Sequence, residues 1–308
     1  MVSHPWRRLG GTFATLQVML VFLLLAAGGA SDAGKVPLSD EPSRDDLAKY
    51  AASLEPPSRA FPYEFRFPDD VRTDKVFGID VSHYQENIEW EKVAKQGIRF
   101  AYIKATQGEE YYDPAFERNW PAAGKIEARD LSLRRGAYHF MTANGDPRLQ
   151  AQNFLGTIGR LESNDLPPCV DLEWDWLVKD RKYVPDRKGK KIDAWASLSP
   201  AEIAERVTTW LRIVEEATGK KPIIYTTSSW WSSRIGPNSS LRGYSFWIAD
   251  YTSKSLGRED PNVPERLSWS FWQLTDQGLL SHGGIDKRVD TTVFHGNAAD
   301  LNKQFGFK

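Results

Sequence analysis

The feature that most constrains this chain is a series of eight short apolar runs, at residues 76–81, 100–104, 135–140, 169–173, 222–226, 245–249, 269–274 and 289–294. Each has the length and the β-branched or aromatic content of a buried strand, and helical periodicity fills much of the sequence between them. Strands interleaved with helices call for parallel pairing, because a parallel neighbour is reached only through a crossover connection. Eight of them fit closure into a barrel better than an open sheet, so the expected fold is α/β, a single TIM-like β/α barrel of eight mainly parallel strands. Irregularity is expected on one side, since the last three runs have little helix between them.

The clearest helix spans 200–217. Ser199 stands at the N-cap, Pro200 at N1, and Glu202 completes a capping box. Ile203, Val207, Trp210, Leu211 and Val214 recur on one face, and Gly219 ends the helix. Asp146-Pro147 opens a second helix that carries Leu149, Phe154 and Ile158 towards Gly159. A shorter one over 89–96 is closed by Gly97.

Two segments precede the barrel. In residues 1–30, Arg7 and Arg8 stand before an apolar stretch over 12–27 whose strongly polar member is Gln17, and Gly28-Gly29-Ala30 supplies small residues for cleavage. This reads as an export signal, because the stretch is shorter than the ~20 apolar residues of a spanning helix. The rival reading is an uncleaved anchor. Residues 31–74 hold six of the 18 prolines and ten acidic residues against six basic, which suits an acidic linker or a surface strap. The catalytic domain is then expected over 75–308, in a monomer that is exported to the periplasm or beyond the cell, with no stable membrane insertion after signal removal.

Composition excludes several chemistries. Forty Lys and Arg against 41 Asp and Glu give no bulk electrostatic reason to bind nucleic acid. One Cys, Cys169, permits neither an internal disulfide nor a thiolate cluster, and reads as a small buried filler. His83 and His139 lack metal-ligand spacing, and no Gly-x-Ser-x-Gly elbow is present, so neither a metal, a cofactor nor a serine nucleophile is expected.

What remains is carboxylates at strand ends, where a parallel barrel gathers its chemistry. Asp80, Asp171 with Glu173, Asp250 and Asp276 lie at or just past candidate strand ends, and Asp290 lies early in the last strand. Asp171 and Glu173 are two apart and share a face, while Val170, Leu172 and Trp174 share the other. A close pair resists holding two full charges, so one member is expected to stay protonated near neutral pH and to serve as a general acid. Eleven of the 12 Trp follow residue 74, and Tyr102, Tyr138, Tyr225, Tyr251 and Trp272 are candidates for lining a groove that takes the flat apolar faces of sugars. Trp120, Trp210 and Trp269 read as core; Trp230-Trp231 fits either role.

Seven motifs stand in a distinctive order: Gly78-Ile79-Asp80-Val81-Ser82-His83-Tyr84-Gln85, Ala101-Tyr102-Ile103-Lys104-Ala105-Thr106-Gln107-Gly108, Gly136-Ala137-Tyr138-His139-Phe140, Val170-Asp171-Leu172-Glu173, Trp247-Ile248-Ala249-Asp250-Tyr251, Trp272-Gln273-Leu274 and Val289-Asp290. In this order the chain resembles the family-25 glycoside hydrolases, the lysozyme-type muramidases, over residues 76–296. The resemblance implies a flattened, irregular barrel with an acidic groove that cleaves the β-1,4 bond between N-acetylmuramic acid and N-acetylglucosamine in peptidoglycan glycan strands. It assigns the general acid to Glu173, its neighbouring carboxylate to Asp171, and the other two groove acids to Asp80 and Asp290. Asp250 and Gln273, which stand in its motifs, join the aromatic residues as substrate-binding candidates. Two roles for the second carboxylate stay open, a nucleophile or a group that orients the substrate's 2-acetamido for attack on its own anomeric carbon; the second, with Asp171 as orienting group, is the reading preferred here. A non-catalytic glycan-binding protein on the same barrel is the alternative.

One segment departs from the compact pattern. Between Trp174 and Ser199 the chain is long, and residues 179–191 carry seven basic residues against two acidic. This is either a solvated loop or a positive lip beside the acidic groove.

Overall fold

The structure, a computed structural model, describes residues 64–307 apart from 73, 128–132, 180–181, 238 and 252–259. The export segment and most of the Pro-rich stretch, residues 31–63, therefore lie outside the described residues. The strands are β1 (Arg66–Phe67), β2 (Phe77–Val81), β3 (Ile98–Gln107), β4 (Tyr111–Tyr112), β5 (Arg134–Phe140), β6 (Cys169–Leu172), β7 (Val178–Lys179), β8 (Lys182–Tyr183), β9 (Ile223–Thr227), β10 (Ser245–Ala249), β11 (Trp269–Leu280) and β12 (Val289–Phe294). The helices are α1 (Trp90–Lys95), α2 (Phe116–Glu127), α3 (Pro147–Ile158), α4 (Pro200–Thr218), α5 (Ser228–Arg234) and α6 (Ala298–Phe305).

Eight strands close into a barrel in the order β2-β3-β5-β6-β9-β10-β11-β12, and β12 returns to β2. Neighbours from β2 round to β11 pair in parallel; β12 is antiparallel to both β11 and β2. This is the TIM-like barrel expected from the sequence, and its irregular side lies where expected. Between β10 and β11 the described residues hold a 3-10 turn over Pro264–Arg266, and a turn joins β11 to β12. A connection that short cannot carry a strand back to the starting end, so β12 must run the other way.

Alternation along the strands creates two apolar layers. Phe100, Tyr102, Tyr138, Trp247, Phe271 and Phe294 fill the barrel interior. Ile79, Ala101, Ala137, Val170, Ile224 and Ile248 point outwards, in one cluster with residues of the helices. The interior aromatics need two glycines beside them: a Cβ on Gly78 would fall 2.2 Å from the Phe100 ring, and one on Gly136 2.4 Å from Tyr102. α6 belongs to the same inner layer, where Phe305 stacks on Phe271 at 5.8 Å and Leu301 and Phe307 join the cluster. Nothing in its short sequence marked it as part of a barrel core.

The helices form for the local reasons read from the sequence. Ser199 caps α4 through a complete capping box with Glu202, and Gly219 closes it in the left-handed conformation. Its stripe is buried, and each large side chain contributes about 1.5–3 kcal/mol by leaving water. Asp146 caps α3, with Pro147 at its start. Trp210, Trp230 and Trp231 are fully buried, which resolves the last two as core; Trp120 and Trp269 are partly buried against the same cluster.

Residues just before the expected start of the barrel also belong to it. β1 pairs with the outer end of β11, and Phe65 and Phe67 are fully buried against Phe77, with ring centroids at 5.0 and 6.3 Å.

Candidate active site

The reversal of β12 explains the position of Asp290. Parallel strands bring their C-terminal ends to one rim, and an antiparallel strand brings its N-terminal end there instead. Asp290, early in β12, therefore stands directly opposite Asp80, late in β2. Paired positions on neighbouring strands point their side chains to the same face. Asp171 lies on β6, three strands away from β2, and lines an interior recess together with Asp80, Tyr138, Cys169, Tyr225 and Trp247. Glu173 follows just past the end of β6, two residues on from Asp171. All four carboxylates are buried.

Hydrogen bonds fix the rim. Gln273, fully buried on β11, donates from Nε2 to Asp80 Oδ2 at 2.8 Å. Its Oε1 accepts from the Tyr225 hydroxyl at 2.8 Å and from the Tyr251 hydroxyl at 2.6 Å. One amide thus ties an acid of β2 to the phenols beside β9 and β10, using both donor and acceptor ends in the sense each requires. Opposite, the indole Nε1 of Trp195 donates to the Glu173 carbonyl oxygen at 3.0 Å, and Trp195 packs edge-on against Trp230. Further along, the Asp193 carboxylate accepts from the Asp175 amide at 3.0 Å and pairs with Arg234 at 2.7 Å. Burial pushes the Asp193 carboxyl up, and Arg234 partly offsets this. Glu173 is therefore anchored through its backbone on a rigid shelf.

Several groups at the site have their chemistry set by burial. The Cys169 thiol is pushed well up, first by desolvation and then by the Asp171 carboxylate, so it stays protonated and inert. His139 points away from the recess: it is buried between Thr106 Oγ1 at 2.7 Å and Gln150 Oε1 at 3.1 Å and stacks on Trp210. Among the described residues no group of three or more His, Cys, Asp or Glu side chains is arranged to hold a metal ion.

The candidate substrate residues divide by position. Tyr138 and Tyr225 line the recess, and Tyr251 is half-buried at its edge through Gln273. Tyr102 is fully buried in the barrel interior, where its hydroxyl donates to the Pro167 carbonyl at 3.0 Å. Burial pushes that phenol well above its ordinary range. Trp272 faces the outer layer and donates to the Asp250 carbonyl at 2.8 Å. Both pack the wall and present no face to a groove. Asp250 receives the Asn262 amide at 2.7 Å and so pins the chain that follows the 252–259 segment.

Two interior residues escaped the sequence reading. Trp247 lines the recess and packs edge-on against Tyr225, with centroids at 5.0 Å. Lys104, fully buried on β3, donates to Gln107 Oε1 at 3.0 Å and lies over the Phe140 ring at 5.2 Å. Both stand in the motifs named above but were given no role there; Lys104 is two residues after Tyr102, so strand alternation was the available signal for its face.

An enclosed β/α barrel with acids from three strands and aromatic walls at one rim is the architecture of a carbohydrate-cleaving hydrolase. Residues 79–282 match the glycosyl hydrolases family 25, and the chain belongs to that family. It is accordingly a glycoside hydrolase of the lysozyme type. Among its relatives, the Escherichia coli K12 protein YegX is 36% identical over 231 residues, covering 73% of this chain and 72% of its own. Lysozyme M1 of Streptomyces globisporus is 32% identical over 234 residues, covering 74% and 71%. Among solved structures, the lysozyme of Streptomyces coelicolor superposes with a TM-score of 0.60 at 30% identity, over 77% of this chain and all of that one. A family 25 glycosyl hydrolase from Bacillus anthracis gives 0.60 at 27% identity, over 76% and 94%.

Proposed function

We propose that the protein is an exported muramidase that cleaves the β-1,4 bond between N-acetylmuramic acid and N-acetylglucosamine in peptidoglycan, with Glu173 as general acid. The observation that carries this reading is the gathering of Asp80, Asp290 and the Asp171–Glu173 pair at one end of a closed barrel. Relatives named lysozyme and N,O-diacetylmuramidase support the substrate class, and the apolar N-terminal stretch supports export. Among the described residues no helix is long and apolar enough to cross a membrane.

In this reading the glycan lies across the rim against Tyr138, Tyr225 and Tyr251. Glu173 gives its proton to the leaving glycosidic oxygen, then takes one from the incoming water. Asp171 orients the 2-acetamido group, whose carbonyl oxygen attacks the anomeric carbon. Asp80, held by Gln273, and Asp290 stabilise the positive charge that develops on the sugar ring.

The test is release of reducing ends from purified sacculi, with products identified by mass spectrometry. Muramic acid at the new reducing end is expected, and Glu173→Gln is expected to abolish release with the thermal midpoint nearly unchanged. Glucosamine at the reducing end, or an active Glu173→Gln protein, overturns the assignment.

A further inference from the structure

The basic segment after β6 is a built arm. β7 and β8 form an antiparallel pair, and isolated bridges join Trp176 to Asp193 and Pro185 to Lys191. The Leu177 amide donates to Ile192, Val184 to Leu177, and Ile192 to Val184, so three short stretches are laced together. The root is the shelf that holds Glu173, through Asp175, Asp193 and Arg234. At the tip, Asp186 Oδ1 accepts the amides of both Lys188 and Lys190 at 2.8 Å, and Gly189 turns at φ +77°. The acid of the tip is thereby committed to shaping the turn.

The cations at the tip and just after it divide into two sets, apart from the exposed Lys179 and Lys182 of the β7–β8 pair. Lys191 lies over the Tyr183 ring at 3.8 Å and is part of the packing. Arg187, Lys188 and Lys190 are exposed, and among the described residues no carboxylate pairs with any of them. Exposed Lys92, Lys95 and Arg212, on the helices, each have an acidic partner within 3 Å. A turn that presents three exposed cations, none of them paired with a carboxylate among the described residues, costs stability through self-repulsion, a cost that binding an anion removes.

We infer that the described residues 177–179 and 182–192 form a docking arm, with Arg187, Lys188 and Lys190 at its tip, that binds the peptide-stem carboxylates of the same wall polymer whose glycan occupies the groove. The inference rests on the muramidase reading. Its arm is rooted three residues from Glu173, so whatever anion it holds is tethered to the strand being cleaved. N-acetylated glycan is itself uncharged where its muramic carboxyls are amide-linked, which leaves the stem peptides as the fixed negative charges of that strand. Binding one of them positions the strand without touching the scissile bond, so the arm acts on KM and leaves kcat alone.

The experiment compares the full-length protein with an Arg187→Gln, Lys188→Gln, Lys190→Gln variant that leaves Lys191 in place. Sacculi are stripped of phosphodiester polymers beforehand and assayed at low and high salt. In parallel, the same sacculi with carboxylates amidated and a stem-free glycan oligomer are assayed. At low salt the variant is expected to show a KM about fivefold to tenfold higher on stripped sacculi, the order given by three exposed ion pairs, with kcat unchanged. High salt, amidation or the stem-free glycan is expected to erase the difference. Equal KM values on stripped sacculi at low salt overturn the inference, and so does a difference that survives amidation. Absence of reducing ends from the wild-type protein on every substrate instead overturns the muramidase reading.

Discussion

Gln273 is the residue whose removal tests the architecture of the rim most directly. Replacement by Leu keeps most of the volume but deletes three hydrogen bonds together: one to the Asp80 carboxylate and two from tyrosine hydroxyls. Neutral bonds contribute about 1 kcal/mol each and the charge-assisted one about 2, so Gln273→Leu is expected to cost about 4 kcal/mol. For a domain of this size that is a fall of about 10 °C in thermal midpoint, readable by calorimetry. The reasoning also predicts coupling. Tyr225→Phe is expected to cost about 1 kcal/mol in the wild type and less in the Gln273→Leu background, because the Gln273 acceptor is already gone. Activity on sacculi is expected to fall with Gln273→Leu, since Asp80 loses the Gln273 donor, and to survive Tyr225→Phe in larger part. A midpoint drop under about 3 °C, or fully additive costs for the two substitutions, would refute the idea that one amide organises this rim.

Two further outcomes are expected elsewhere in the barrel. Arg135 and Asp165 form a buried ion pair at 2.7 Å, with Arg135 also over the Trp120 ring, so Asp165→Ala leaves a buried cation and is expected to cost about 3–5 kcal/mol in denaturant titration. His139 is held neutral, its value lowered to about 3 chiefly by burial. Because the folded value is depressed below that of the unfolded chain, its contribution is complete above about pH 6.5 and is lost as pH falls towards 3. Between pH 6.5 and 5 the loss is about 2 kcal/mol, and His139→Phe is expected to flatten that part of a stability–pH curve.

How much was legible in the sequence follows from the range of the forces concerned. The helix α4 was readable to its caps because Ser199, Pro200, Glu202 and Gly219 act within a turn of one another. All eight barrel strands were readable as apolar runs, and the Asp171–Glu173 pair as one face, because strand alternation is a local property. The placement of Tyr102 and Trp272 was not, although both stand in strands that were recognised. Alternation says that neighbours face opposite ways, but which face is the barrel interior, and how deep along the strand the open end begins, depend on all eight strands at once. Tyr102 faces inwards and lies too deep; Trp272 faces outwards.

The sequence by itself determined the barrel, its irregular side and which acids stand at or near the strand ends, since these rest on periodicity, capping and short motifs. Only the tertiary structure decided how those acids meet. Asp290 reaches the rim because the short turn after β11 forces β12 to run backwards. Asp80 is held by an amide 193 positions away. The basic segment becomes an arm because Asp175, Asp193 and Arg234 root it on the shelf of Glu173. Each of these depends on chain closure between distant residues, whose geometry no local pattern encodes.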